Sequence, residues 1–175
     1  LRSLGIGAFG STDEVLVTNF SWISSASCVL MAGGTPVFCD INPDTYHMSM
    51  DSIIDMTTDN TKAIIYPQLF GNVTDTRDIR MYCRDLNIDF IEDACQAIGA
   101  SWRGMKAGGR GAPSALSFNA NKNIAGIAGG GAVLTDSEDM ATYCRKIRQH
   151  GDGEFLGFNS KMLLLNAKVI DHRLN

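Results

Sequence analysis

Residues 90–100, FIEDACQAIGA, and 114–126, SALSFNANKNIAG, decide how this chain is read. In the first, the apolar pair Phe90 and Ile91 delivers two carboxylates, Glu92 and Asp93. In the second, a short apolar run leads into a loop of small residues that carries a lone lysine, Lys122. Brief apolar runs bounded by turn residues are the pattern of buried strands. Ligands of open α/β sheets sit beyond the carboxyl ends of the strands. A buried acid at Asp93 and an amine at Lys122, each at such an end, are therefore expected to face one ligand.

The same kind of run recurs at 15–19 (VLVTN), 36–41 (PVFCDI) and 62–67 (KAIIYP), and DFIED at 89–93 makes a fourth strand. Between them the patterns are helical. Residues 21–31 are small and apolar, with Gly33 and Gly34 to end the helix. Residues 50–56 carry apolar side chains at helical spacing with Ser49 as cap. Residues 75–86 are amphipathic through Ile79, Tyr82, Cys83 and Leu86. After Ala100 the glycines and short segments predict brief strands and tight turns. A glycine loop runs into a strand over 129–135, a helix follows over 136–150, and 151–160 is loop. Alternating strands and helices imply a three-layer α/β/α fold around a mostly parallel sheet.

Composition excludes several classes. With 45% apolar and 19% charged residues the chain carries enough hydrophobic surface for one folded core. A net charge of −4 without a basic stripe argues against nucleic acid, and no apolar run reaches the roughly 18 residues of a membrane span. Five irregularly spaced cysteines give neither a disulfide framework nor a zinc pattern, which fits a reduced, cytoplasmic protein. His47, His150 and His172 stand alone, so no metal site is expected. Arg103 and Arg110 read as solvated charges. The first residues resemble a helix end and 162–175 another helix, so the chain is expected to be a piece of a longer protein.

A lysine amine forms Schiff bases with carbonyl compounds, and pyridoxal phosphate then serves as an electron sink. A carboxylate beside the ring nitrogen keeps it protonated, the role expected of Asp93. Ser117 offers a hydroxyl to a phosphate, Gln96 reaches the ring hydroxyl if 94–100 turns into a helix, and Trp22 offers a stacking surface just beyond a strand.

The words VLVTNFSWISSA, GGTPVFCDINPDTYHM, TKAIIYPQLFGN and residues 89–136, from DFIEDACQ to GGGAVLTD, follow one another in an order that closely resembles the DegT-type (DegT/DnrJ/StrS) sugar-nucleotide aminotransferases. These are fold-type I pyridoxal phosphate enzymes of amino-sugar biosynthesis. The resemblance implies that residues 1–175 form part of the cofactor-binding large domain, without its beginning and without the C-terminal small domain. It implies Asp93 at the pyridine nitrogen, Gln96 at the ring oxygen, Ser117 at the phosphate, Lys122 as Schiff-base residue and proton shuttle, and Trp22 on the ring. Asn159, in GFNSKM, would reach the neighbouring subunit's phosphate. It further implies a homodimer with shared active sites, an amino-acid donor such as glutamate and a nucleotide-sugar acceptor. Three other readings carry less. A dinucleotide loop in GIAGGGAV conflicts with the strand that follows it. A sugar dehydratase of the same family would have histidine in place of Lys122. A non-catalytic dimerisation module would not need Asp93, Gln96, Ser117 and Lys122 together.

Overall fold

The computed structural model describes all 175 residues, Leu1–Asn175. In chain order the elements are β1 (Glu14–Thr18), α1 (Ser24–Ala32), β2 (Thr35–Cys39), α2 (Met50–Met56), β3 (Thr61–Pro67), α3 (Arg77–Asp85) and β4 (Asp89–Asp93). The two-residue strands β5 (Ser101–Trp102) and β6 (Met105–Lys106) follow, then β7 (Ser114–Ser117), β8 (Gly131–Leu134), α4 (Glu138–Ile147) and α5 (Leu164–Leu174). Six strands form one sheet in the order β2-β1-β3-β4-β7-β8. All neighbours are parallel except β7 and β8.

Strand side chains alternate between faces, and the buried residues sort accordingly. Val15, Val17, Ala63 and Ile65 lie on one face against Val29 of α1. Leu16, Ile64 and Phe90 lie on the other against Ile53 of α2 and Ile79 and Cys83 of α3. Helix α4 returns to the first face, where Tyr143 and Ile147 look across a cavity at Ile65, Ile91 and Ala115. The result is the expected three-layer α/β/α arrangement. None of its helices is long and apolar enough to cross a membrane.

Local chemistry sets the element ends. Gly33 closes α1 at φ 99, and a Cβ there would stand 2.6 Å from the Gly7 carbonyl oxygen, so only glycine serves both needs. Helix α3 begins two residues later than its amphipathic pattern, because the Asp75 carboxylate accepts the Arg77 N–H at 3.1 Å and holds the chain in a turn. Helix α4 stops at Ile147, short of the expected His150, because Gln149 pairs with Asn159 in an antiparallel bridge. Between β5 and β6, Arg103 and Gly104 both take positive φ, as a two-residue hairpin turn of the primed type requires. Helix α2 spans the expected residues, and the Ser49 hydroxyl accepts the Ser52 N–H at 3.3 Å. Ser49→Ala is expected to cost about 1 kcal/mol and Ser49→Asp close to nothing, read from urea unfolding midpoints.

Candidate active site

Strands β3, β4 and β7 run parallel and in register, with Pro67 opposite Asp93 and Glu92 and Asp93 opposite Ser114 and Ala115. Their carboxyl ends therefore release three consecutive segments side by side. After β3 comes a tight turn over Leu69–Gly71 in which Phe70 takes φ 57, a left-handed conformation uncommon for an aromatic residue. Turns over 94–100 follow β4, where the N–H of Ala97 bonds the Ala94 carbonyl and that of Ala100 bonds Ala97. After β7, the buried Phe118 is fixed by backbone bonds to Gly130 and Gly126, and the intervening loop folds back at a Lys122 N–H to Asn119 carbonyl bond of 2.9 Å.

These segments enclose a cleft of about 430 Å³ walled by Phe70 and Gly71, by Cys95 and Gln96, and by Lys122 with its flanking asparagines. Lys122 is half-buried, and its amine makes no ion pair within the chain. Gln96 is not on a helix, the condition under which it was to reach the ring hydroxyl. It stands in the turn, and its side-chain oxygen accepts the Phe70 N–H at 3.1 Å, which joins the first wall to the second.

Asp93 is half-buried at the last position of β4 and faces α1 and α4. One carboxylate oxygen accepts the Cys95 N–H at 3.1 Å. The carboxylate opens into the apolar cavity of about 460 Å³ beside the lysine cleft, and Cys95 lines both spaces. Lys122 and Gln96 thus share one cleft, with Asp93 immediately behind it. Ser117 ends β7, where its hydroxyl accepts the Asn119 N–H at 3.3 Å, and it walls neither space. Trp22 is 73% exposed beyond the end of β1, and Asn159 is exposed in the bridge with Gln149; neither lines the cleft.

Burial, and then the nearby Asp93 carboxylate, push the Cys95 thiol up to about 12 despite Lys122 nearby. The thiolate is the reactive form, so at pH 8 only about one molecule in 10⁴ carries it there, against about one in ten for an ordinary thiol. Iodoacetamide labelling of Cys95, followed by peptide mass mapping, is expected to be slow at pH 8 and to rise about tenfold per pH unit through pH 10.

Several participants lie outside the sequence expectations. The buried acid of the pair is Glu92, 1% exposed, rather than Asp93, because strand alternation turns Glu92 with Phe90 into the α2/α3 face. Arg110, expected to be solvated, is buried: its guanidinium pairs with Glu92 at 2.5 Å. Asn166 of α5 also emerges only in three dimensions. Its amide accepts the Ala128 N–H at 3.3 Å and donates to the Gly129 carbonyl, holding the glycine loop next to β7. Alternation sets Glu92 with Phe90 and Asp93 with Ile91, two apolar faces that the sequence does not distinguish, and no signal was available for Arg110 or Asn166.

Comparison with known proteins bears on what this arrangement is. The family model described as "DegT/DnrJ/EryC1/StrS aminotransferase family" matches residues 1–175. A pleiotropic regulatory protein of Geobacillus stearothermophilus is 34% identical over 97% of this chain and 46% of its own length. The UDP-2-acetamido-2-deoxy-3-oxo-D-glucuronate aminotransferase of Pseudomonas aeruginosa is 32% identical over 96% of this chain and 47% of its own. Among solved structures, S. venezuelae DesV superposes with a TM-score of 0.94 at 32% identity, over 99% of this chain and 47% of that one. NtdA from Bacillus subtilis with bound cofactor PMP superposes at 0.87 and 34%, over 99% and 40%. The chain spans about half the length of the curated relatives it matches. Its strand order, its Asp93 and Lys122 words and its match along the whole sequence together place this chain in the DegT/DnrJ/EryC1/StrS aminotransferase family.

Proposed function

We propose that the protein to which this chain belongs transfers an amino group from an amino acid, glutamate foremost, to a keto group of a nucleotide-linked sugar, with pyridoxal phosphate as cofactor. One observation carries the reading: adjacent parallel strands β4 and β7 bring Asp93 and the Lys122 loop to neighbouring spaces that Cys95 joins. The residues present fit the cofactor. Lys122 brings an amine without a carboxylate partner, and Asp93 a carboxylate facing an apolar space suited to a flat ring.

When bound, pyridoxal phosphate supplies an electron sink for the carbon next to the substrate nitrogen. The chain's residues do the rest. Lys122 Nζ would hold the cofactor and, as a free amine, would take up and return the proton at the substrate carbon. Asp93 favours a positive charge at the ring nitrogen by direct attraction. Gln96, held by the Phe70 N–H through its oxygen, keeps its amide donors for the ring oxygen. Ser117 contributes a hydroxyl to the phosphate, and Trp22 a stacking face. Asn159 serves the partner's site, in a homodimer with shared active sites in the cytoplasm. In this reading the chain is part of the cofactor-binding large domain.

The test is an absorption titration with pyridoxal phosphate, followed by borohydride reduction and peptide mass mapping. A visible band and a reduced adduct on Lys122 support the reading. An adduct spread over surface lysines, with none at Lys122, overturns it.

A further inference from the structure

On the far side of β4 from Asp93 lies a charged cluster that no step of the proposed transfer uses. Glu92 accepts hydrogen bonds from Arg110 Nη2 at 2.5 Å, from Gln68 Nε2 at 3.1 Å and from the Gly108 N–H at 3.2 Å. Arg110 Nη1 donates to the Thr74 carbonyl at 2.9 Å, and the Thr74 N–H donates back to Gln68 Oε1 at 3.3 Å. The Glu92 and Arg110 side chains are only 1% and 4% exposed.

The partners come from the segment that leaves β3 toward the cleft and from the segment that enters β7. Gln68 and Thr74 bracket the turn that presents Phe70 and Gly71, and the Gln68 N–H also bonds the Asp93 carbonyl at 2.9 Å. Gly108 and Arg110 lead into β7 and so toward Lys122, with the Ser114 hydroxyl bonded to the Gly108 carbonyl at 2.9 Å. Gly108 itself takes φ +81 with side chains at 3.2 and 3.3 Å from the place of a Cβ, so the N–H that meets Glu92 needs glycine behind it. Glu92 is the residue before Asp93. One buried carboxylate on β4 thus ties the segment that leaves β3 to the segment that enters β7, from behind, where it cannot touch a ligand held at Asp93.

Stability alone is a poor reason for such a cluster. Desolvating two charges offsets much of their attraction, and well-packed apolar side chains of similar volume often serve as well or better. A cluster that fixes neighbouring loops in one arrangement has a different use, since a reacting group displaced by about 1 Å can lose its effectiveness. We propose that Glu92 and Arg110 are positioning residues that set the Phe70–Gln96 wall and the Asp93 end of β4 at a fixed distance from the Lys122 loop. The proposal rests on the aminotransferase reading and adds to it the residues that hold its site in shape.

The experiment compares the full chain with Glu92→Met/Arg110→Met and with Arg110→Lys. The double variant replaces the charges with apolar side chains of similar length; because the Gln68 amide, the Gly108 N–H and the Thr74 carbonyl lose their partners, it is expected to stay folded with a lowered unfolding midpoint. Its Phe70 and Gly108 amides are expected to exchange with solvent about tenfold faster, while Ile64 in β3 keeps its protection. The pyridoxal phosphate concentration for half-maximal labelling of Lys122 is expected to rise about tenfold, the size of one lost hydrogen bond to a charged group. Arg110→Lys keeps a cation beside Glu92 and loses the second prong to Thr74, so both readouts shift in the same direction. Wild-type exchange at Phe70 and Gly108 together with wild-type labelling of Lys122, in either variant, overturns the proposal. If the wild-type chain itself takes no cofactor on Lys122, the aminotransferase reading fails, and the exchange rates alone decide whether the pair holds the loops.

Discussion

Lys122→Ala is expected to abolish the borohydride-fixed adduct and to lower amino transfer by about 10⁴-fold, the upper range for removing a positioned general acid–base group. The same change is expected to leave the fold intact. Lys122 is half-buried in a loop closed by backbone bonds, and its side chain makes no ion pair. Substitutions at such positions fall within about 0.5 kcal/mol of neutral. Unchanged thermal unfolding with lost labelling is therefore the signature of chemistry rather than misfolding. Lys122→Arg sharpens the test. Arginine keeps the positive charge, but its guanidinium stays protonated and cannot serve as a nucleophile or proton carrier. If the amine mattered only as a charge near the phosphate, arginine would preserve most activity. If it bonds and shuttles, both variants fail alike, in a coupled assay run on the whole protein with its amino donor and keto-sugar acceptor.

The layered fold was legible because short continuous apolar runs alternate along the chain with longer segments of helical character. Residues 50–56 carry both an apolar face and a cap at Ser49, and α2 starts and stops where those signals say. Single side chains set two of the departures from that pattern, and the Gln149–Asn159 bridge set the end of α4. The Asp75 carboxylate accepts the Arg77 N–H and delays α3, and the Asp93 carboxylate accepts the Cys95 N–H where turns, not a helix, carry Gln96. Gln96 still reaches the cleft wall, by a route no periodicity describes, because a left-handed Phe70 turns its N–H toward the amide oxygen.

The candidate site was legible only where its chemistry sits in short words. Asp93 ends an apolar run and Lys122 lies in the loop that follows one, so their neighbourhood follows from strand order. Arg110 was misread for the opposite reason. It stands among glycines, the usual setting of an exposed loop charge, and its partners Glu92 and Thr74 come from segments that only the parallel order β3-β4-β7 brings together. Burial of that guanidinium is a property of the sheet order, which no local pattern encodes. Ser117, Trp22 and Asn159 form a third kind. None of them walls the lysine cleft, so any part they take in the proposed site requires groups that approach from outside it.

Asp93→Asn is expected to keep the adduct on Lys122 and yet slow amino transfer by about 10² to 10³-fold. The change removes a charge while preserving shape. Asparagine retains a side-chain oxygen to accept the Cys95 N–H, so the turn behind β4 and the wall carrying Gln96 stay in place. What disappears is the anion that favours a protonated ring nitrogen. An opposite charge a few ångströms away shifts a titrating group by about one to three pKa units, and two to three of those units account for the expected loss. Asp93→Ala removes the turn acceptor as well and should add about 1 kcal/mol of destabilisation, which separates the two roles of one side chain. Asp93→Glu keeps the charge but lengthens the arm, and in a site where position decides, it is expected to fall between wild type and asparagine. Titrating the visible band of each variant with pH checks the assignment directly. A carboxylate acting on the ring nitrogen alters that titration in Asp93→Asn, whereas a carboxylate that only shapes the turn leaves the titration and the transfer rate of Asp93→Asn at their wild-type values.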